Sequence, residues 1–216
     1  MTTTPLSEEE LIRLKSRKTL LWFGIISIIM LFAGLTSAYI VRQSEGKWAQ
    51  FDLPNAFIIS TLIIAFSSIP MQWAVNSIKH GNAENLTKGL IITLLLGAGF
   101  VISQYVAWSE LFRDGIAFSS RLSDIRTDYT YISSGTETAE QAGEVGNVSA
   151  SFLYAITALH ILHLAAGILA LFVVLSRSIR KKYTPEEYSG VSMCATYWHF
   201  LGGLWVYLFF FLFFVR

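Results

Sequence analysis

The sequence predicts an all-α integral membrane bundle of five transmembrane helices, on three observations. Apolar residues make up 53% of the 216 and charged residues only 14%, against about 25% charge in an ordinary globular chain. The charges are excluded from five long apolar stretches, at about 20–41, 56–78, 89–108, 152–176 and 191–215, none of which holds an Asp, Glu, Lys or Arg. A bilayer-spanning helix needs about 20 apolar residues, and in hydrocarbon every backbone N–H and C=O must be paired within the segment, so runs of this length read as helices.

Residues 1–19 are polar and read as a cytoplasmic segment, with Ser7 three residues before Glu10 as a possible capping box. The first span, from Leu20 to Val41, is too long for the apolar core of a cleaved signal peptide, about 7–15 residues. It carries Ala33, Gly34, Ser37 and Ala38, small residues at i,i+4 that suit close helix approach. Short loops at 42–54 and 79–88 lead into and out of the second span, in which Pro70 predicts a kink eased by Ser67 and Ser68. The third span carries Gly97 and Gly99. After it, 113–150 reads as a polar external loop with little periodicity, in which Asn147-Val148-Ser149 matches a glycosylation triplet. The fifth span carries Gly202 and Gly203 and ends in a crowd of phenylalanines, Phe209 to Phe214, which reads as lipid-facing surface. Cys194 is the single cysteine, so neither a disulfide framework nor a cysteine metal cluster is available.

Basic residues fix the orientation. Arg13, Lys15, Arg17, Lys18, Lys79, Lys88, Arg177, Arg180, Lys181 and Lys182 fall on one side; Arg42, Lys47, Arg113, Arg121, Arg126 and Arg216 fall on the other. The positive-inside rule places the N-terminus in the cytoplasm and the C-terminus outside. Bases at membrane borders on alternate loops are accounted for by topology, and no nucleic-acid partner is expected.

His160, His163 and His199 are the ionisable residues well inside the spans, and such residues are candidates for function. His160 and His163, at i,i+3, lie on nearly one helix face, continued by Gly167 and Ala170 as a buried seam. Three readings stay open on residue chemistry: hydrogen bonding between helices, ligation of haem or a metal by imidazole, and a proton relay. The absence of intramembrane carboxylates weighs against the last two.

The fourth span reads Phe152-Leu-Tyr-Ala-Ile-Thr-Ala-Leu-His160-Ile-Leu-His163-Leu-Ala-Ala-Gly167, and the fifth contains Tyr197-Trp198-His199-Phe200-Leu-Gly-Gly-Leu-Trp205. These resemble the H-x-x-H-x-x-x-G and Y-W-H-F-x-x-x-x-W signatures of cytochrome c oxidase subunit III, in its five-helix bacterial form. Phe32 to Tyr39, the Ser60-Thr61 and Ser67-Ser68 pairs, and Leu96 through Gln104 to Trp108 resemble the family's other helices.

The resemblance implies a non-catalytic subunit of a respiratory haem–copper terminal oxidase in a bacterial inner membrane, part of an oxidoreductase and translocase complex. Haem and copper would belong to the neighbouring subunits I and II, and no catalytic or metal-binding residue is expected here. It implies two helix groups around a phospholipid-filled cleft, for which Trp22, Tyr39, Trp73 and Trp108 are the aromatic candidates. His160, His163, Gly167, Tyr197, Trp198, His199, Phe200, Trp205 and Gln104 become structural motif residues. Related chains often carry carboxylates where Ile28, Ala107 and Gly202 stand here, so proton-linked roles through those groups do not transfer. Alternatives are the equivalent subunit of a ubiquinol oxidase or of a nitric oxide reductase-associated system, and, in another class, a haem-binding electron carrier using His160 or His163 with His199.

Overall fold

The structure is a computed structural model and describes residues 8–46, 48–132 and 146–215. Five helices carry it: α1 (Glu8–Ser44), α2 (Ala56–Lys79), α3 (Ala83–Arg113), α4 (Val148–Ile179) and α5 (Ser189–Phe214). All five are long and apolar enough to cross a membrane. Four overrun the apolar stretches that signal them, because polar side chains continue a helix once it leaves the hydrocarbon. At about 1.5 Å per residue α1 is about 55 Å long, against about 30 Å of bilayer core. Ser7 of the expected capping box lies outside the described residues.

The turns that join the helices follow from local chemistry. After α2, Gly81 (φ +77°) takes the left-handed position, with Asn82 N bonded to Ser77 O and Gly81 N to Ile78 O. That is a Schellman ending. Asn82 then caps α3 by accepting from Asn85 N at 3.0 Å, so one residue closes a helix and opens the next. Gly115 (φ +80°) ends α3 in the same way. At the end of α4 the left-handed position falls on Lys181 (φ 51°).

Two expected loops are more ordered than the sequence suggests. Strand β1 (Trp48–Phe51) lies in the first and pairs antiparallel with β2 (Tyr129–Ile132) in the second, Trp48 opposite Ile132 and Phe51 opposite Tyr129. Four residues are too few to establish a period of two, and the pairing joins segments nearly eighty residues apart. A short 3₁₀ turn, Leu122–Asp124, precedes β2. Asn147 is buried and accepts from Ala150 N at 3.0 Å as the cap of α4. At 2% exposure its amide nitrogen is out of reach of a glycan, and the glycosylation reading of its triplet does not hold.

Helices α2 and α3 form the tightest pair, and α5 lies centrally, packed on α1, α2 and α4. One apolar core runs through α2, α3, α4 and α5. A second joins α1 to β1, the start of α4 and the C-terminal half of α5. Helix α1 contributes to it one stripe, Ile25, Ile28, Phe32, Thr36 and Tyr39, at helical spacing. Ala33, Gly34, Ser37 and Ala38, expected to pack, instead face outward, and a Cβ built on Gly34 meets nothing within 4 Å. Small size permits close approach without requiring it, and the larger side chains of the other face take the available contacts.

Candidate functional site

Most of the motif residues converge where α5 crosses α2, α3 and α4. Three glycines set how close the helices come. At Gly89 an added Cβ would stand 2.8 Å from both the Pro70 carbonyl oxygen and the Ala74 Cβ, so α2 and α3 meet nearly backbone to backbone. At Gly97 it would stand 2.6 Å from Cη2 of Trp198, and at Gly167 3.0 Å from Leu201 Cδ1. Trp198 therefore sits in a recess that α3 provides by lacking a side chain, and Gly167 gives Tyr197 and Leu201 their place on α4.

The two buried indoles of α5 are each held by a hydroxyl on α2. Trp198 Nε1 donates to Ser67 Oγ at 2.9 Å and Trp205 Nε1 to Thr61 Oγ1 at 3.0 Å. These hydroxyls donate in turn within their own helix, Ser67 to Ile64 O at 2.6 Å and Thr61 to Phe57 O at 2.7 Å. Ser67 thus serves a tryptophan of another helix as well as its own turn beside Pro70. Gln104 Nε2 donates to Ser60 Oγ at 2.7 Å, and Trp108 Nε1 to Thr157 Oγ1 at 3.2 Å. Rings fill the space between: Trp205 lies 5.0 Å from Phe100, edge to face, and 4.8 Å from His160.

The histidines do not converge on one ligand. His160 is fully buried and its Nε2 lies 3.1 Å from the Leu201 carbonyl of α5. A carbonyl only accepts, so that nitrogen carries the proton. His163 donates from Nδ1 to Leu159 O of its own helix at 2.7 Å and turns its ring to Phe32 of α1, at 5.7 Å. Tyr197 OH donates to the His163 carbonyl at 3.3 Å. The i,i+3 spacing that suggested a shared face thus splits between two neighbours, since about 60° of rotation separates the two residues. His199 is partly buried on α5, and Phe200 beside it packs against both cores. Among the described residues, no three His, Cys, Asp or Glu side chains stand together so as to hold a metal ion.

Of the four aromatic candidates for the cleft, Trp22 and Trp73 are exposed, and Trp108 is half-buried at the opposite end of the bundle. Tyr39 is placed otherwise: it is 3% exposed, edge-on to Trp48 at 4.7 Å and to Phe211 at 5.2 Å. It fills the α1 core because the strand and α5 close over it.

The functional pairing of Trp198 and Trp205 with Ser67 and Thr61 was not read from the sequence. A signal for it exists. The donors are seven residues apart on α5 and the acceptors six apart on an antiparallel α2, as two matched turns require.

The family model for cytochrome c oxidase subunit III matches residues 129–216. Probable cytochrome c oxidase subunit 3 of Mycobacterium leprae is 28% identical over 202 residues, covering 92% of this chain and 86% of that one. Cytochrome c oxidase subunit 3 of Corynebacterium diphtheriae is 26% identical, covering 87% and 82%. The protein of that name from Thermostichus vulcanus is 28% identical, covering 86% and 80%.

Proposed function

We propose that this chain, which belongs to the cytochrome c oxidase subunit III family, is a non-catalytic, multi-pass subunit of a haem–copper terminal oxidase, packing against and stabilising the catalytic subunit. The observation that carries this reading is the use made of the motif side chains. Trp198, Trp205, Tyr197, His160, Gln104 and Trp108 each direct a polar hydrogen to another helix. A membrane bundle without a hydrophobic drive between its helices is held by such bonds and by close packing. Those side chains hold the bundle together, which fits a supporting subunit better than a redox centre.

Haem and copper reside in the neighbouring subunits I and II, and phospholipid occupies the surface between helix groups. The membrane is the bacterial inner membrane, with the N-terminus cytoplasmic and the C-terminus outside, supported by the distribution of basic residues. Of the histidines, His160 acts as an interhelical hydrogen-bond tie and His163 meets α1 through its ring.

Purification through a tag on this chain in mild detergent tests the proposal. The expected result is copurification of a haem–copper catalytic subunit with oxygen consumption, while the separated chain shows no Soret band. Recovery of the chain alone from cells whose oxidase is fully active and stable without it would overturn the supporting role. A stoichiometric Soret band on the separated chain would favour a haem carrier instead.

A further inference from the structure

Tyr39 of α1, Ala49 of β1, Ser149 and Leu153 of α4 and Leu212 of α5 line a small cavity of about 10 Å³. Each of these five residues is at most 3% exposed, so neither an acyl chain nor a partner's side chain reaches the space. Its volume is close to the least that one water molecule occupies. A purely apolar cavity stays dry, whereas a polar one binds water. The polar groups around it therefore decide what it holds.

Two such groups stand at the start of α4. Asn147 Oδ1 accepts from Ala150 N at 3.0 Å, which identifies it as the oxygen of the amide, and from Ser149 Oγ at 2.8 Å. Ser149 has thereby used its one hydrogen, and its oxygen meets the cavity as an acceptor. The other arm of the amide, Asn147 Nδ2, carries two hydrogens. It is buried and, among the described residues, meets no acceptor. Ser149 lies against the oxygen arm and does not serve the nitrogen arm. A buried donor left unpaired is costly, and nearly all such groups in folded proteins have a partner.

We infer that this cavity binds one water molecule, which accepts from Asn147 Nδ2 and donates to Ser149 Oγ. A molecule that both accepts and donates completes the two groups at once. No charged side chain lines the space, and a bare ion there would have no counter-charge. The second hydrogen of the water turns to the Tyr39 side of the cavity. The water thereby fastens the cap of α4 to the roof that β1 and α5 form over Tyr39. This is the part of the molecule where α1 is held mainly by apolar contact.

The test fills the cavity from the strand side. Ala49→Val adds two methyl groups that displace the water, and a β-branched residue suits a strand. Filling a dry cavity stabilises a protein, whereas filling this one takes the acceptor from Asn147. The denaturation midpoint of the full-length chain in sodium dodecyl sulfate mixed micelles is therefore expected to fall. An unchanged or raised midpoint overturns the proposal. Overpacking is separated by repeating Ala49→Val in an Asn147→Ser background, which keeps a capping hydroxyl but lacks the amide donor. There the fall should be less than about half as large, and an equal fall overturns the proposal. Direct detection uses solid-state NMR of the full-length chain in lipid with nitrogen-15 asparagine. A dipolar cross-peak between water and the Asn147 side-chain amide is expected, assigned by its loss in Asn147→Ser and absent in Ala49→Val. No such cross-peak in the unchanged protein overturns the site, and this measurement decides if the variants do not fold.

Discussion

The four-helix core and α1 are built on different principles. In α2 to α5, glycines bring helices within van der Waals contact of an indole or a backbone carbonyl, and hydroxyls receive the indole N–H groups. Helix α1 is held by a single apolar stripe against α4 and α5. Among the described residues, a polar tie from α1 to another helix is Tyr207 OH to Thr36 Oγ1 at 3.3 Å. The core is thus specified by shape and hydrogen bonds, and a residue of the wrong size there cannot be absorbed. Helix α1 is specified mainly by area, and its outward face of small residues leaves room for another helix or for lipid. The division leaves a closely fitted block and a flank whose outward face its surroundings can complete.

The largest effect separating the two should come from Trp205→Ala. It removes a fully buried ring that touches Phe57, Phe100 and His160. The expected loss is about 3–5 kcal/mol of bundle stability, read by unfolding the purified chain with sodium dodecyl sulfate in mixed micelles. A loss below 1 kcal/mol would mean that the core is as adaptable as α1. Next is Gly97→Ala. The added methyl meets Trp198 Cη2 at 2.6 Å, and overpacking of this kind costs about 1–3 kcal/mol. Restoration of stability in the pair Gly97→Ala/Trp198→Phe would locate the clash at the indole.

Changes on the α1 side should be smaller. His163→Ala removes the ring that meets Phe32 and should reduce retention of this chain in the oxidase without altering the haem spectrum of the remaining enzyme. A shifted haem spectrum with assembly intact would contradict the structural role. Tyr207→Phe removes one interhelical hydrogen bond, worth about 0.6 kcal/mol in a membrane bundle. Gly34→Leu, with open space around it, should leave the isolated chain within about 0.5 kcal/mol of its original stability. A large loss there would show that α1 packs more tightly than the contrast implies.

Membrane class and helix number were legible because both depend on local quantities, the length of an apolar run and the positions of charges. The expected seam of α4 was legible at His160 and Gly167, which are buried, and less so at His163 and Ala170, which are only partly buried, since period 3.6 operates within one helix. Only the tertiary structure decided which neighbour each residue meets. Identical small residues pack at Gly97 and stand open at Gly34; His160 and His163 part company; Tyr39 is roofed over by a strand whose partner lies in a distant loop. The physical reason is that helix formation in hydrocarbon is enforced segment by segment by the backbone's need for hydrogen bonds. Association, by contrast, rests on non-local fit among surfaces that are all about equally apolar, so hydropathy marks every span yet cannot say which faces meet.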